Sequence, residues 1–201
     1  MQKKIKLVFF HPYSYLGGAD NSLRRLIENL DLKKYSITFL SLNKSYLRQI
    51  LDKKIEFKQL KAKRTLFAVS EIKAILENLK KNEKFKKIIL ISNQNFANII
   101  ASFCIERNSK IKSIFIERNH LDELSFYKNL KDKIKKNIIK ILIKFRYEKA
   151  DKIVGICKKL SSDLGNYIGK KVITIYSPSY DKNIIKKSKI KLNLDKKYKY
   201  I

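Results

Sequence analysis

The sequence is poor in the residues that build metal sites and disulfide frameworks. Its 201 residues include two histidines and two cysteines, and Cys104 and Cys157 match no metal-ligand spacing. Both cysteines stand in apolar surroundings, so we predict that they are small core residues. Two isolated cysteines suit a reducing compartment. No cluster of metal ligands and no nucleophilic triad is readable, and we expect neither a metal nor a cofactor.

Long apolar runs are also missing. The first apolar run ends at Phe10 and is followed by His11 and Pro12, which makes it too short for the apolar region of a signal peptide. No stretch approaches the roughly 18 uninterrupted apolar residues of a transmembrane helix. We therefore predict a cytoplasmic protein.

Two nucleotide-binding fingerprints are absent as well. The sequence contains no Walker phosphate-binding loop. Its one glycine pair, Gly17-Gly18, lacks the third glycine of the dinucleotide-binding motif. This argues against a dehydrogenase.

Acidic residues are few relative to basic ones. The 18 acidic residues face 47 basic residues, so the net charge of +29 favours attraction to polyanions or to an anionic membrane surface. Much of the excess is lysine in a sequence that is also rich in isoleucine and asparagine, a composition typical of a codon bias toward A and T. The charge is therefore weak evidence for nucleic acid as a partner.

Strand-like and helix-like patterns alternate along the chain. Apolar runs predict strands at residues 5–10, 35–42, 55–60, 87–92, 111–117, 152–156 and 171–176. Helical patterns lie between nearly all of them, at residues 21–30, 46–51, 66–82, 96–106, 122–147 and 158–167, with Ser92 and Asn93 as N-cap candidates for the fourth. This alternation predicts an α/β fold with a doubly wound, mostly parallel, Rossmann-like sheet.

A glycine turn joins the first strand to the first helix. Free N–H groups and the helix dipole make such a turn favourable for anionic ligands. Gly17 and Gly18 can take positive φ freely, and without a side chain they let a ligand approach the backbone closely. The alternative is a tight turn without a ligand.

A second polar cluster, from Glu117 to His120, follows the fifth strand at a carboxyl end where doubly wound sheets bind ligands. Arg118 is suited to hold a phosphate through two hydrogen bonds, and His120 to bind an acceptor hydroxyl. The alternative is that Glu117 pairs with Arg118 and that His120 only begins the next loop. We predict that His11 is a solvated loop residue, although a place in the same cleft is the alternative.

The densest cations lie between Lys128 and Lys149, where lysines alternate with isoleucines. One interpretation is a basic amphipathic helix that lies on an anionic membrane and brings the protein to a lipid-linked acceptor. The other is a helix that packs its apolar face on the sheet and exposes its lysines to solvent.

Three stretches, at residues 16–20, 147–157 and 172–178, carry a family resemblance. Together they resemble the N-terminal, acceptor-side domain of GT-B-fold glycosyltransferases of family 4 (group 1). Residues 16–20 (Leu-Gly-Gly-Ala-Asp) are similar to that family's Gly-Gly-Ala-Glu turn. Residues 147–157 are similar to its Ala-Asp pair with the apolar strand that follows, and residues 172–178 to its Val-Ile-Tyr-Asn-Pro exit. Asp20, Cys157 and Ser177 replace the usual Glu, Ser and Asn.

The resemblance implies a Rossmann-like domain at residues 1–181 and, at 182–201, a linker with the first residues of a truncated C-terminal domain. It implies a glycosyltransferase of glycan or cell-envelope polysaccharide synthesis that transfers a hexosyl group from a nucleotide-sugar to a glycan or lipid-linked acceptor. Substrate would be bound by Gly17, Gly18, Arg118 and His120, with no metal. We expect this half to be inactive without the donor-binding domain.

Two alternatives remain open. One is a non-catalytic basic module that binds an anionic membrane surface or another polyanion. The other is one subunit of a split glycosyltransferase whose donor domain is a separate chain. Nucleic acid is a weaker partner, because the aromatic residues do not interleave with a basic groove.

Overall fold

A computed structural model describes residues 3–15, 17–106 and 110–178 of the chain. The predicted linker and second-domain start at residues 182–201 lie outside the described residues. Within the described ranges, seven strands form one parallel sheet of order β3-β2-β1-β4-β5-β6-β7. The predicted α/β class with a parallel, doubly wound sheet is confirmed.

The strands fall close to the apolar runs that predict them. They are β1 (Lys4–Phe10), β2 (Tyr35–Ser41), β3 (Glu56–Gln59), β4 (Phe85–Asn93), β5 (Ile111–Glu117), β6 (Lys152–Gly155) and β7 (Ile173–Thr174). The helices are α1 (Gly18–Glu28), α2 (Leu47–Ile50), α3 (Val69–Lys80), α4 (Asn95–Cys104), α5 (Leu130–Arg146) and α6 (Lys158–Ile168). Among the helices of the described ranges, none has the length and apolar character needed to cross a membrane.

Both faces of the central sheet are buried, which explains why its strands are continuous apolar runs. In β1, Val8 and Phe10 belong to the core cluster that packs under α3, α4, α5 and α6. Leu7 and Phe9 belong to the cluster on the other face, under α1 and α2. Cys104 is buried, as predicted, whereas Cys157 is half-buried at the start of α6.

The predicted helix at residues 122–147 is interrupted. A 3-10 turn occupies Leu121–Ser125, and α5 begins only at Leu130. The Asn129 side chain accepts a hydrogen bond from the N–H of Asp132 (2.9 Å), and the Asp132 carboxylate accepts one from the N–H of Lys128 (3.1 Å). This reciprocal capping starts a new helix at this point.

The predicted N-cap of α4 is also wrong. Ser92 and Asn93 lie in β4, and Gln94 occupies the cap position without a side-chain cap bond. Gln94 has φ 78° and ψ 159°, and it is the one non-glycine residue with positive φ among the described residues. Its backbone conformation is one that glycine adopts more readily, so the end of β4 is strained.

The strand order reverses between β1 and β4. From β1 the chain proceeds through β2 to the edge strand β3, and it then returns to β4 on the other side of β1. Loops that leave β1 and β4 diverge at this switch point and form a crevice at the carboxyl ends of the strands, where open α/β sheets bind ligands.

Candidate functional site

A cavity of about 430 Å³ lies at the switch point. Its lining comes from α1 and from the segments that follow β4, β5, β6 and β7. Gly18 lies on this wall, and the polar side chains are those of Ser22, Arg25, Gln94, Arg118, Asn119 and Ser177. No acidic side chain of the described ranges lines it. An apolar cavity of about 330 Å³ shares Ser22, Arg118 and Ser177 and extends over the sheet.

A larger cavity of about 780 Å³ lies at the opposite edge, where the strands begin, between residues such as Lys4, Tyr35 and Phe85. Doubly wound sheets bind ligands at the carboxyl ends of their strands instead. The cavity at the switch point is therefore the candidate site.

Asp20 holds the glycine loop in place. Its Oδ2 atom accepts hydrogen bonds from the N–H groups of Tyr15 and Gly17, each 3.1 Å long. Gly17 is the N-cap of α1 and Asp20 is its third residue, so the second bond is half of a capping box. Burial opposes ionisation of Asp20, but the bonds from His11 and Gly17 outweigh burial and lower its pKa to about 2.

Gly17 and Gly18 leave open space beside the backbone, and neither uses the positive φ that glycine allows. Gly17 has φ −84°, and Gly169 is the only glycine with positive φ in the described ranges. A Cβ atom added at Gly17 or Gly18 would meet no atom within 4 Å. The fold therefore does not require glycine here, and the open space beside Gly18 is free for a ligand.

His11 is buried, which contradicts the predicted solvated loop residue. Only 2% of it is exposed, and its ring packs edge-on against Phe39 with the centroids 6.3 Å apart. The reason is that its N–H donates to the carbonyl of Leu40 and continues the ladder between β1 and β2. The backbone pairing extends one residue beyond the apolar run and carries the ring into the interior.

The amide of Asn93 fixes the protonation pattern of His11. Arg118 Nε donates to Asn93 Oδ1 (2.6 Å), so the amide nitrogen faces His11 Nδ1 at 3.1 Å and donates to it. The other ring nitrogen, Nε2, then carries the proton and donates to Asp20 Oδ1 at 3.2 Å. A chain of hydrogen bonds therefore runs from Arg118 through Asn93 and His11 to the glycine loop.

Arg118 lies on the cavity wall with Gly18. Besides its bond to Asn93, it donates through Nη1 to the hydroxyl of Ser177 at 3.0 Å. Burial lowers the pKa of Arg118, and the nearby carboxylates of Glu117 and Asp20 oppose this effect. A guanidinium remains protonated at neutral pH, so the cavity carries a positive charge in a fixed orientation.

Glu117 lies behind the site, and the alternative in which its side chain pairs with that of Arg118 does not hold. It is 2% exposed, and its carboxylate accepts hydrogen bonds from the Tyr147 hydroxyl (2.6 Å) and from the N–H groups of Arg118 (2.9 Å) and Asn119 (3.2 Å). Burial raises the pKa of Glu117 despite these bonds. Its role is to hold the turn that presents Arg118.

His120 does not line the same cavity as Gly18 and Arg118. It lies in a separate cavity of about 400 Å³ with Ser125, Lys140 and Tyr167. Its Nε2 atom is 2.7 Å from Asp163 Oδ2, which ties the loop after β5 to α6. The structure thus brings Gly18 and Arg118 together and places His120 in the neighbouring cavity.

Four further residues of the site were not predicted from the sequence: Ser22, Arg25, Asn93 and Gln94. Ser22 is buried, its hydroxyl has no partner among the described residues, and it lines the cavity. Arg25 Nη1 donates to the carbonyl of Pro178 and adds a second guanidinium to the same wall. Asn93 ends β4 and Gln94 follows it directly. Both come after an apolar run at the switch point, and that position was the available signal for both.

No protein-family model and no curated protein matches the sequence significantly. Solved structures do match. A UGT transferase from Siraitia grosvenorii, in complex with UDP, superposes with a TM-score of 0.58 at 12% identity, over 92% of this chain and 54% of that one. HepE from Anabaena, in complex with UDP and glucose, gives 0.57 at 10% identity, over 90% and 48%. The α/β fold of this chain is therefore shared with one part of each of these two proteins.

The chain spans about half the length of these two proteins. At such low identity the match extends to the fold and does not identify a family within it. The resemblance to family 4 stays a prediction.

Proposed function

We propose that this chain is the acceptor-side half of a glycosyltransferase that moves a hexosyl group from a nucleotide-sugar to a glycan or lipid-linked acceptor. The observation that carries the proposal is the cavity between Gly18 and Arg118. It is positively charged, it lies at the switch point, and the fold around it is shared with glycosyltransferases solved with UDP.

The residues of the cavity suit a diphosphate. The N-terminus of α1 directs its dipole toward an anion, and the open space beside Gly18 admits a phosphate oxygen close to the backbone. Arg118 is held by Asn93 and Ser177 in one plane, which prepares its guanidinium for paired hydrogen bonds to phosphate. Ser22 offers a hydroxyl from the same wall.

The acceptor would occupy the neighbouring cavity, where His120 lies. His120 is oriented by Asp163, and the hydroxyl groups of Ser125 and Tyr167 line the same space. We assign no catalytic residue. The donor-binding half, with the pocket for the nucleotide, would be supplied by the rest of a longer protein or by a separate chain, and the cytoplasmic location stays a prediction.

The proposal is tested by glycosyl transfer in the cells that make the protein. Gly18→Leu fills the open space, and Arg118→Met removes the charge while it keeps the length of the side chain. Arg48→Met is the matched control, since Arg48 is exposed on α2, away from the cavity. Transfer of label is measured in cell extracts from a panel of labelled nucleotide-sugars into glycan and lipid fractions.

We expect incorporation from one donor to fall at least about tenfold in both site variants, because each change removes on the order of 1–3 kcal/mol of phosphate binding. It should stay at the original level in Arg48→Met. Unchanged incorporation from every donor, with all variants present at normal abundance, would contradict the proposal. If the protein were only a basic module that binds polyanions, Gly18→Leu would have no effect on incorporation.

A further inference from the structure

The outward side of α5 carries a stripe of exposed apolar side chains. Four residues spaced by four, three and four positions lie on one side of the helix, and they are 54%, 51%, 54% and 62% exposed: Ile134, Ile138, Ile141 and Phe145. Ile139 and Ile143 are on the opposite side and are buried in the core under the sheet. The helix therefore has two apolar faces, and the core covers one of them.

Exposed lysines border this stripe on both sides. At 100° per residue, Lys131 and Lys135 fall along one border, and Lys133 and Lys144 fall along the other; all four are exposed. An apolar stripe between two rows of cations is the pattern of helices that lie in the interface of an anionic bilayer. Lysine side chains also extend their charged ends toward headgroups while their stems stay on the apolar surface.

Neighbouring elements extend the same surface. Phe96 at the start of α4 is 46% exposed, and Lys135 Nζ lies 5.5 Å from the centre of its ring. Phe126 and Leu130, which precede and begin α5, are 75% and 71% exposed. These three residues follow the carboxyl ends of β4 and β5, so the apolar surface reaches the edge of the sheet that carries the candidate site.

We infer that the outer face of α5 binds an anionic lipid bilayer, with the isoleucine stripe in the acyl boundary and the flanking lysines on the headgroups. Charge complementarity selects this occupant, because the stripe is flanked by cations on a chain of net charge +29. The sequence of residues 128–149 left two interpretations open, a helix packed on the sheet and a helix lying on a membrane. The inner face of α5 packs on the sheet, and the inference assigns the membrane to its outer face. The inference does not rest on transferase activity.

The first test uses tryptophan fluorescence, because the chain contains no tryptophan of its own. Ile138→Trp places the probe in the stripe. Ile50→Trp is the matched control, since Ile50 is 43% exposed on α2, whose neighbours pack on the other face of the sheet. The full chain is titrated with phosphatidylglycerol vesicles, with phosphatidylcholine vesicles and with heparin.

We expect the emission of the Ile138→Trp variant to move to shorter wavelength and to be quenched by brominated lipid with phosphatidylglycerol vesicles only, while the Ile50→Trp probe stays unchanged. Equal responses of the two probes, no response of either, or the same shift with heparin would overturn the inference. In vesicle sedimentation, Ile138→Asn should weaken binding to phosphatidylglycerol about tenfold and Ile50→Asn less than about twofold. Equal binding by the two folded Asn variants would also overturn it.

Discussion

Replacing Asp20 by Asn should destabilise the fold through the loop that carries Gly17 and Gly18. Both carboxylate oxygens are occupied: Oδ2 accepts the N–H groups of Tyr15 and Gly17, and Oδ1 accepts Nε2 of His11. An Asn side chain has one acceptor oxygen and one NH₂ group, so in either orientation a donor faces a donor. The substitution therefore removes hydrogen bonds and adds a repulsive contact in a buried place.

The pKa of Asp20 gives the size of the effect. Burial alone would raise this pKa, but hydrogen bonds from His11 and Gly17 outweigh burial and lower it from 3.8 to about 2. At about 1.36 kcal/mol for each pKa unit, the ionised carboxylate contributes about 2 kcal/mol to folding. The folded pKa lies below the unfolded one, so the contribution is complete well above pH 3.8, is about half lost near pH 3, and disappears as the pH falls through 2.

Urea unfolding followed by circular dichroism measures this difference at neutral pH and at about pH 3. The control is Asp31→Asn, in the exposed loop before β2, where the side-chain oxygen accepts the N–H of Lys33 (2.8 Å) and an Asn oxygen can keep that bond. We expect Asp20→Asn to lose about 2 kcal/mol at neutral pH and about half of that near pH 3, and the control to lose less than about 0.5 kcal/mol. Equal losses in the two variants, or a loss for Asp20→Asn that does not shrink in acid, would mean that the ionised Asp20 carboxylate does not stabilise the fold.

Three further substitutions test the backbone around the site. Gly18→Ala should leave the melting temperature unchanged or raise it slightly, because its Cβ would lie in open space and alanine restricts the unfolded chain more than glycine does; a clear drop in a thermal melt would contradict this. Gln94→Gly should raise the free energy of unfolding by about 1 kcal/mol, since it relieves a positive φ, and a loss of stability would show that the Gln94 side chain matters more than the strain. Gly155→Ala should cost about 1–3 kcal/mol, because the new Cβ would overlap Ser161 Oγ and lie 2.8 Å from Leu160 Cδ2. A neutral effect in urea unfolding would mean that the first turn of α6 shifts to make room for it.

The sheet was predictable because each central strand is buried on both faces and reads as a continuous apolar run. Capping was the weaker signal. The apolar residues of 122–147 recur with a helical period throughout. The paired contacts of Asn129 and Asp132 nevertheless make α5 begin only at Leu130. At Ser92 and Asn93, residues with good capping side chains remain in β4, where Ser92 donates to the buried Asn98 (2.6 Å).

Parts of the candidate site were predictable and others were not. Position alone placed Gly18 and Arg118 at carboxyl ends of strands, and the structure brings them to one cavity. The burial of His11 depends on one backbone pair with β2 and on an amide 82 residues away, which no local pattern records. The strain at Gln94 is likewise set by the crossing from β4 into α4, since the residue type gives no sign of it.

The most direct test of the central claim is whether the cavity binds a diphosphate. In a nitrogen-15 NMR titration of the full chain with UDP and with inorganic pyrophosphate, we expect saturable shifts at the Gly17 and Gly18 amides and at Arg118 Nε. Arg118→Met should weaken the binding at least about tenfold, and Arg48→Met should not change it. Shifts spread over the lysine-rich surface, lost with added salt and insensitive to Arg118→Met, would contradict the account.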